Sequence, residues 1–126
     1  MSVQSQIEHL LNSYIQAFNA RDMKIIDLFQ GRGDVYTPYS RPSIGHRELR
    51  ALHAKWFEQD ITYKAATVQH FTSREGAAYC FASYSLIHPE GDGDERMETG
   101  SSASIMIEEA EGRWVFLSTS IFPDET

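Results

Sequence analysis

In the first half of the chain apolar residues return every three or four positions, and in the second half every two. Ile7, Leu10, Leu11, Tyr14 and Phe18 keep the spacing of one helix face, with Ser2 or Ser5 as the starting cap. Residues 19–22, Asn-Ala-Arg-Asp, interrupt the pattern, and Asp22 suits the N-cap of a short second helix carrying Ile25, Ile26, Leu28 and Phe29. Two glycines within residues 30–34 stop that helix. Residues 35–39 are β-prone, and residues 40–45 form a loop. Residues 46–59 predict a third helix, with Leu49, Leu52, Trp56 and Phe57 along its stripe and His53 at its edge.

Residues 61–72, 76–89, 97–110 and 113–123 read as strands separated by glycine-containing turns. Short turns between successive strands predict antiparallel hairpins. The predicted fold class is α+β, with three N-terminal helices packed in a strongly curved, mainly antiparallel sheet, one domain over 1–126. Residues 113–122 are apolar at both parities: Trp114, Phe116 and Phe122 fall on one, Val115, Leu117 and Ile121 on the other. A sheet apolar on both faces must have both covered. The helices cover one. The expected cover for the convex face is a second copy of the chain, in a homodimer, with the chain's own tail and loops as the alternative.

Composition narrows the chemistry. A chain of 126 residues buries roughly two-thirds of its unfolded surface and needs no disulfide or metal to fold. The net charge is −7 with no cluster of Lys or Arg, which argues against a nucleic-acid partner. The single cysteine, Cys80, lies in an apolar run as a small buried residue, a usage that suits the cytoplasm. No signal-peptide pattern and no membrane-length apolar run is evident, so the expectation is a cytoplasmic protein without a membrane partner. The acidic stretches 89–98 and 108–112 read as solvated turns. The first resembles a calcium loop only superficially, because Glu95 stands where that loop needs glycine. No His-x-His or His-Glu-x-x-His occurs, so no metal or other cofactor is expected. The 7 Phe, 6 Tyr and 2 Trp exceed what a core of this size requires and point to a lined pocket or an interface.

Residues 14–29 (YIQAFNARDMKIIDLF), 33–38 (GDVYTP), 45–57 (GHRELRALHAKWF) and 112–122 (GRWVFLSTSIF) resemble the SnoaL-like branch of the nuclear transport factor 2-like superfamily, and the likeness covers nearly the whole chain. The resemblance implies a cystatin-like cone: a bent sheet wrapped on three helices, a pocket at the wide end, and dimers. It does not fix a function, because the fold hosts isomerases, dehydratases, cyclases and non-catalytic binding modules. Beside ketosteroid isomerase, Tyr14 falls at the oxyanion-hole tyrosine, Thr37 where the base carboxylate stands, and Ser104 near the protonated aspartic acid. A threonine is no carboxylate base, so that reaction is disfavoured. Residues 69–71 (QHF) resemble the strand bearing a catalytic histidine in scytalone dehydratase, which implies an acid–base role for His70. A histidine pair found near the last strand's end in SnoaL-like binders is replaced here by Ser118 and Ser120.

Tyr14 and His70 are therefore the candidate catalytic residues, and Tyr36, Thr37, His53, Trp56, Tyr84 and Ser104 the candidate ligand contacts. The plain alternatives are a core tyrosine bonded to a carbonyl, a surface histidine on a strand of undecided direction, a helix-edge His53, and ordinary aromatic packing. The expected partner is a small hydrophobic or polyketide-like molecule, bound by a cofactor-free isomerase, cyclase or dehydratase; the alternative is a non-catalytic ligand-binding or dimeric interaction module of the same fold.

Overall fold

A computed structural model of the chain describes residues 2–124. The first helix, α1, runs Val3–Asn19, and the Ser2 hydroxyl caps it by accepting from the Ser5 N–H at 3.1 Å. Ile7, Leu10 and Phe18 are its buried face, as the spacing predicts. The second helix is a single 3-10 segment, Met23–Leu28, capped by Asp22 accepting from the Lys24 N–H at 2.9 Å. Phe29 does not belong to it. It opens β1, Phe29–Tyr36, so the glycine-rich stretch expected to stop the second helix lies within a strand. The register of β1 shifts between Phe29 and Asp34, and Gly33 lies so close to its neighbours that an added Cβ would sit 3.0 Å from the Gln30 carbonyl. Glycine here permits a bulge rather than ending an element.

A two-residue strand, β2 (Ser43–Ile44), leads into α2, Gly45–Phe57. The hairpin strands follow: β3 (Thr62–Arg74), β4 (Ala77–Pro89), β5 (Glu95–Ala110) and β6 (Arg113–Pro123). Together they form one six-stranded sheet in the order β2-β1-β6-β5-β4-β3, curled but open at both edges. Every neighbouring pair is antiparallel except β1 with β6, which is parallel; the chain between these two runs through β2, α2 and the β3–β5 meander. The predicted α+β layout is the observed one.

Pairing registers assign the two faces of the sheet. Ala78, Cys80, Ala82 and Tyr84 of β4, with Met106 and Ser104 of β5, are buried against the helices. In β6 a bulge opposite Ile105 and Met106 switches the parity, so Trp114 and Phe116 point inward before it, and Thr119 and Ile121 after it. Phe122 therefore falls on the outer face and is 53% exposed. The apolar residues at both parities in 113–122 arise partly from this switch. The outer face still carries exposed Tyr36, Tyr79, Ile105 and Phe122. At the helix end, the Asn19 side chain bonds both the N–H and the carbonyl of Tyr63 (2.8 and 2.9 Å), pinning α1 to β3 beside the interior. No helix among the described residues is long and apolar enough to cross a membrane.

Candidate functional site

Between α1, α2 and the concave face lies a cavity of about 430 Å³. That is within the range of small-molecule sites, and apolar lining predominates as such sites require. Its inner wall is Leu11, Phe18, Phe29, Ile61 and Phe116, and its outer end carries the polar residues Thr37, Tyr39, Gln59, His88, Arg96 and Glu98.

Tyr14 projects from α1 into this wall, half-buried and ringed by Phe18, Phe29, His53, Tyr63 and Phe116 at centroid distances of 5.8–6.2 Å. Its hydroxyl lies 2.8 Å from Nε2 of His53, and His53 Nδ1 lies 2.8 Å from the carbonyl oxygen of Leu49, one turn back in α2. A carbonyl can only accept, so Nδ1 carries a hydrogen. Burial pushes the Tyr14 phenol well above its ordinary range, with Tyr63 adding to the rise. Burial lowers the pKa of His53, partly opposed by its bond to Leu49. Both groups are held neutral near pH 7. The hydroxyl partner is thus a histidine, neither open solvent nor the backbone carbonyl of the plain alternative.

A second polar group sits at the outer end. Glu98 Oε1 is 3.0 Å from His88 Nε2, and Glu98 Oε2 accepts from the Tyr84 hydroxyl at 3.2 Å. Burial, followed by the Glu98 charge and its hydrogen bond, raises the Tyr84 phenol pKa. Ser104, buried on β5, lies 3.0 Å from Thr119 across the strand pair, both facing the cavity. The Tyr63 hydroxyl makes no hydrogen bond among the described residues, and burial pushes its pKa up to about 12.

The structure places Tyr14, Thr37, Trp56, Tyr84 and Ser104 around one cavity. His53 stands behind Tyr14, fully buried, and reaches the cavity only through that hydroxyl, because its ring turns under Trp56 at 5.0 Å. Tyr36 is 40% exposed on the outer face, since Val35 and Thr37 take the inward positions of β1 and its continuation. His70 is also exposed on the outer face, across from Phe81. A bulge between Val68 and His70 resets the alternation, so Phe71 continues the inward line that Val68 began. Asp34 lies in β1 outside the cavity lining, with one carboxyl oxygen buried and without a hydrogen-bond partner among the described residues.

His88, Glu98, Arg96 and Tyr63 belong to the site and were absent from the sequence candidates. The acidic stretch 89–98 reads as a turn, yet β5 already begins at Glu95. Alternation counted outward from Tyr84 through Leu86 to His88, and from Ser104 through Ser102 and Gly100 to Glu98, would have placed these residues inside.

Compared by sequence, the chain matches no family model and no curated protein. Solved structures resemble it closely in shape. A ketosteroid isomerase-like protein from Erwinia carotovora atroseptica shares 16% identity over 97% of this chain and 96% of its own, with a TM-score of 0.80. A candidate dehydratase of the NTF2-like family from Streptomyces avermitilis shares 14% identity over 97% of both chains, with a TM-score of 0.83. A protein from Catenulispora acidiphila, solved in complex with S-DNPA, shares 14% identity over 97% of this chain and 93% of its own, at 0.80. The chain therefore has the NTF2-like, cystatin-like fold.

Proposed function

We propose that this chain is a small-molecule pocket protein, binding a compact, mainly apolar molecule between its helices and the concave sheet face. The observation that carries this reading is an apolar cavity of about 430 Å³ with two separated polar groups, Tyr14–His53 inside and Tyr84–Glu98–His88 at the outer end. Apolar walls supply affinity, and a few convergent polar groups orient the guest. The Catenulispora relative in fold, in complex with S-DNPA, supports a ligand-bearing use of this architecture.

Glu98 supports a second, catalytic reading within the same site. Its carboxylate is positioned by Tyr84 and His88, and a carboxylate–imidazole pair beside an apolar chamber can take a proton from a bound molecule and return it. The reaction class is then a cofactor-free isomerisation, cyclisation or dehydration. Tyr14 holds the inner end of the bound molecule, and Thr37, Trp56, Tyr84 and Ser104 contact it. The carboxylate lies on β5, not at Thr37, so the geometry differs from the ketosteroid isomerase arrangement.

The proposed setting is a homodimer in the cytoplasm, with Tyr36, Tyr79, Ile105 and Phe122 of the outer face covered by a second copy. Light scattering of the wild type against Phe122→Lys tests this directly, and an unchanged monomer mass in both removes the dimer. The pocket is tested by organic extraction of the purified protein with mass spectrometry, followed by backbone NMR titration with the extracted compound. Shifts concentrated at Tyr14, Tyr63, Ser104 and Glu98 support the reading. Shifts confined to the outer face refute it.

A further inference from the structure

The deep polar group has a direction that its composition alone does not reveal. His53 Nδ1 faces the Leu49 carbonyl at 2.8 Å and must donate to it. A neutral imidazole has one N–H, so Nε2 is bare and accepts. Only the Tyr14 proton can then bridge the 2.8 Å between the phenol oxygen and Nε2. A phenol has one proton, and here it points away from the cavity into α2. What Tyr14 presents to the cavity is an oxygen lone pair.

The surroundings keep the imidazole neutral. Phe29 of β1 and Trp56 and Phe57 of α2 pack against His53, and Tyr14 of α1 closes the remaining side. Tyr63 of β3 packs on Tyr14. None of these supplies a charge that would stabilise an imidazolium, and burial itself disfavours one.

We infer that the Tyr14 subsite accepts a hydrogen bond, so that the group a ligand brings against it is a donor: a hydroxyl, a phenol or an N–H, and not a bare carbonyl or enolate oxygen. This rests on the reading of the cavity as a ligand site. It reverses the polarity that the resemblance to an oxyanion-hole tyrosine implies, while keeping the residue. A ligand hydroxyl seated there forms a chain in which it donates to Tyr14, Tyr14 donates to His53, and His53 donates to Leu49. Chains of this kind reinforce each member.

Two measurements test this. Nitrogen-15 NMR of histidine-labelled wild-type protein at pH 7.5 reads the tautomer directly. A His53 ring protonated on Nδ1 with a bare Nε2 is the expected result, and a hydrogen on Nε2 overturns the inference without touching the pocket. The second uses 2-naphthol and 2-methoxynaphthalene as probes, which share a ring system while only the first can donate. The affinity ratio of naphthol to ether should be roughly fivefold to tenfold larger in the wild type than in Tyr14→Phe, the size of one buried hydrogen bond. An equal ratio in both proteins overturns the inference while the pocket stands. Failure of both probes to bind the wild type, with no shifts at cavity residues, overturns the pocket reading and this inference with it.

Discussion

Replacing Tyr14 by Phe removes one oxygen and leaves the ring. The ring contacts with Phe18, Phe29, Tyr63 and Phe116 survive, because they are aromatic packing at 5.9–6.2 Å and do not use the hydroxyl. What is lost is the donor to His53 Nε2, on a side chain with 0% exposure. A buried acceptor without its partner costs about 1–3 kcal/mol. Unfolding entropy near 2.1 cal/mol/K per residue makes each kcal/mol worth about 4 °C for a chain of this length. The variant should therefore melt about 4–11 °C below the wild type, by calorimetry or far-UV dichroism at pH 7.5. His53→Leu provides the control, since in that background the same Tyr14→Phe change removes a hydroxyl that has no imidazole to serve. Its cost there should fall by at least about 0.5 kcal/mol, the lower bound for groups in direct contact. An unchanged melting temperature in the single variant, or equal costs in both backgrounds, would refute the hydrogen-bond chain and return Tyr14 to a free pocket hydroxyl.

Three further outcomes follow from the same structure. The folded-state pKa of His53 is lowered, so below about 6.5 the unfolded chain takes up a proton that the native chain refuses; stability is complete above that pH and declines as pH falls, and urea titrations should show His53→Leu with a flatter acid limb. A Cβ on Gly100 would meet the Tyr84 hydroxyl at 2.5 Å and the Phe122 carbonyl at 2.7 Å, so Gly100→Ala must displace Tyr84 from Glu98; an overpacking loss of about 1–3 kcal/mol in denaturant melts is expected, and a wild-type midpoint would mean the strands yield freely. The Trp114 indole N–H donates to Gln6 at 2.7 Å across the interior; Gln6→Ala should cost about 1–2 kcal/mol and shift the tryptophan emission, and unaltered emission would show that the bond is not maintained in solution.

The local periods fixed what could be fixed locally. Apolar spacing of three and four in residues 7–18 can bury one face only as a helix, and the Ser2 and Asp22 caps lie where their side chains reach the next N–H groups. The turns between residues 74 and 113 could only join antiparallel neighbours. Together with the resemblance, this was enough for the cone and for Tyr14, Thr37, Trp56, Tyr84 and Ser104 on its wall. Bulges are where the reading failed. A single extra residue at Val68–His70 or at the Ile105–Met106 register turns every later side chain to the opposite face, and nothing in the strand composition marks that residue. His70 was lost to the outer surface in this way. Long-range partners were also beyond the chain's local pattern: Tyr14 and His53 are 39 positions apart, and only the crossing of α1 and α2 sets one ring nitrogen against one hydroxyl. Sequence supplied a phenol and an imidazole on two amphipathic faces. Tertiary packing decided that they meet, and because a helix carbonyl holds the other nitrogen, which of them gives the proton.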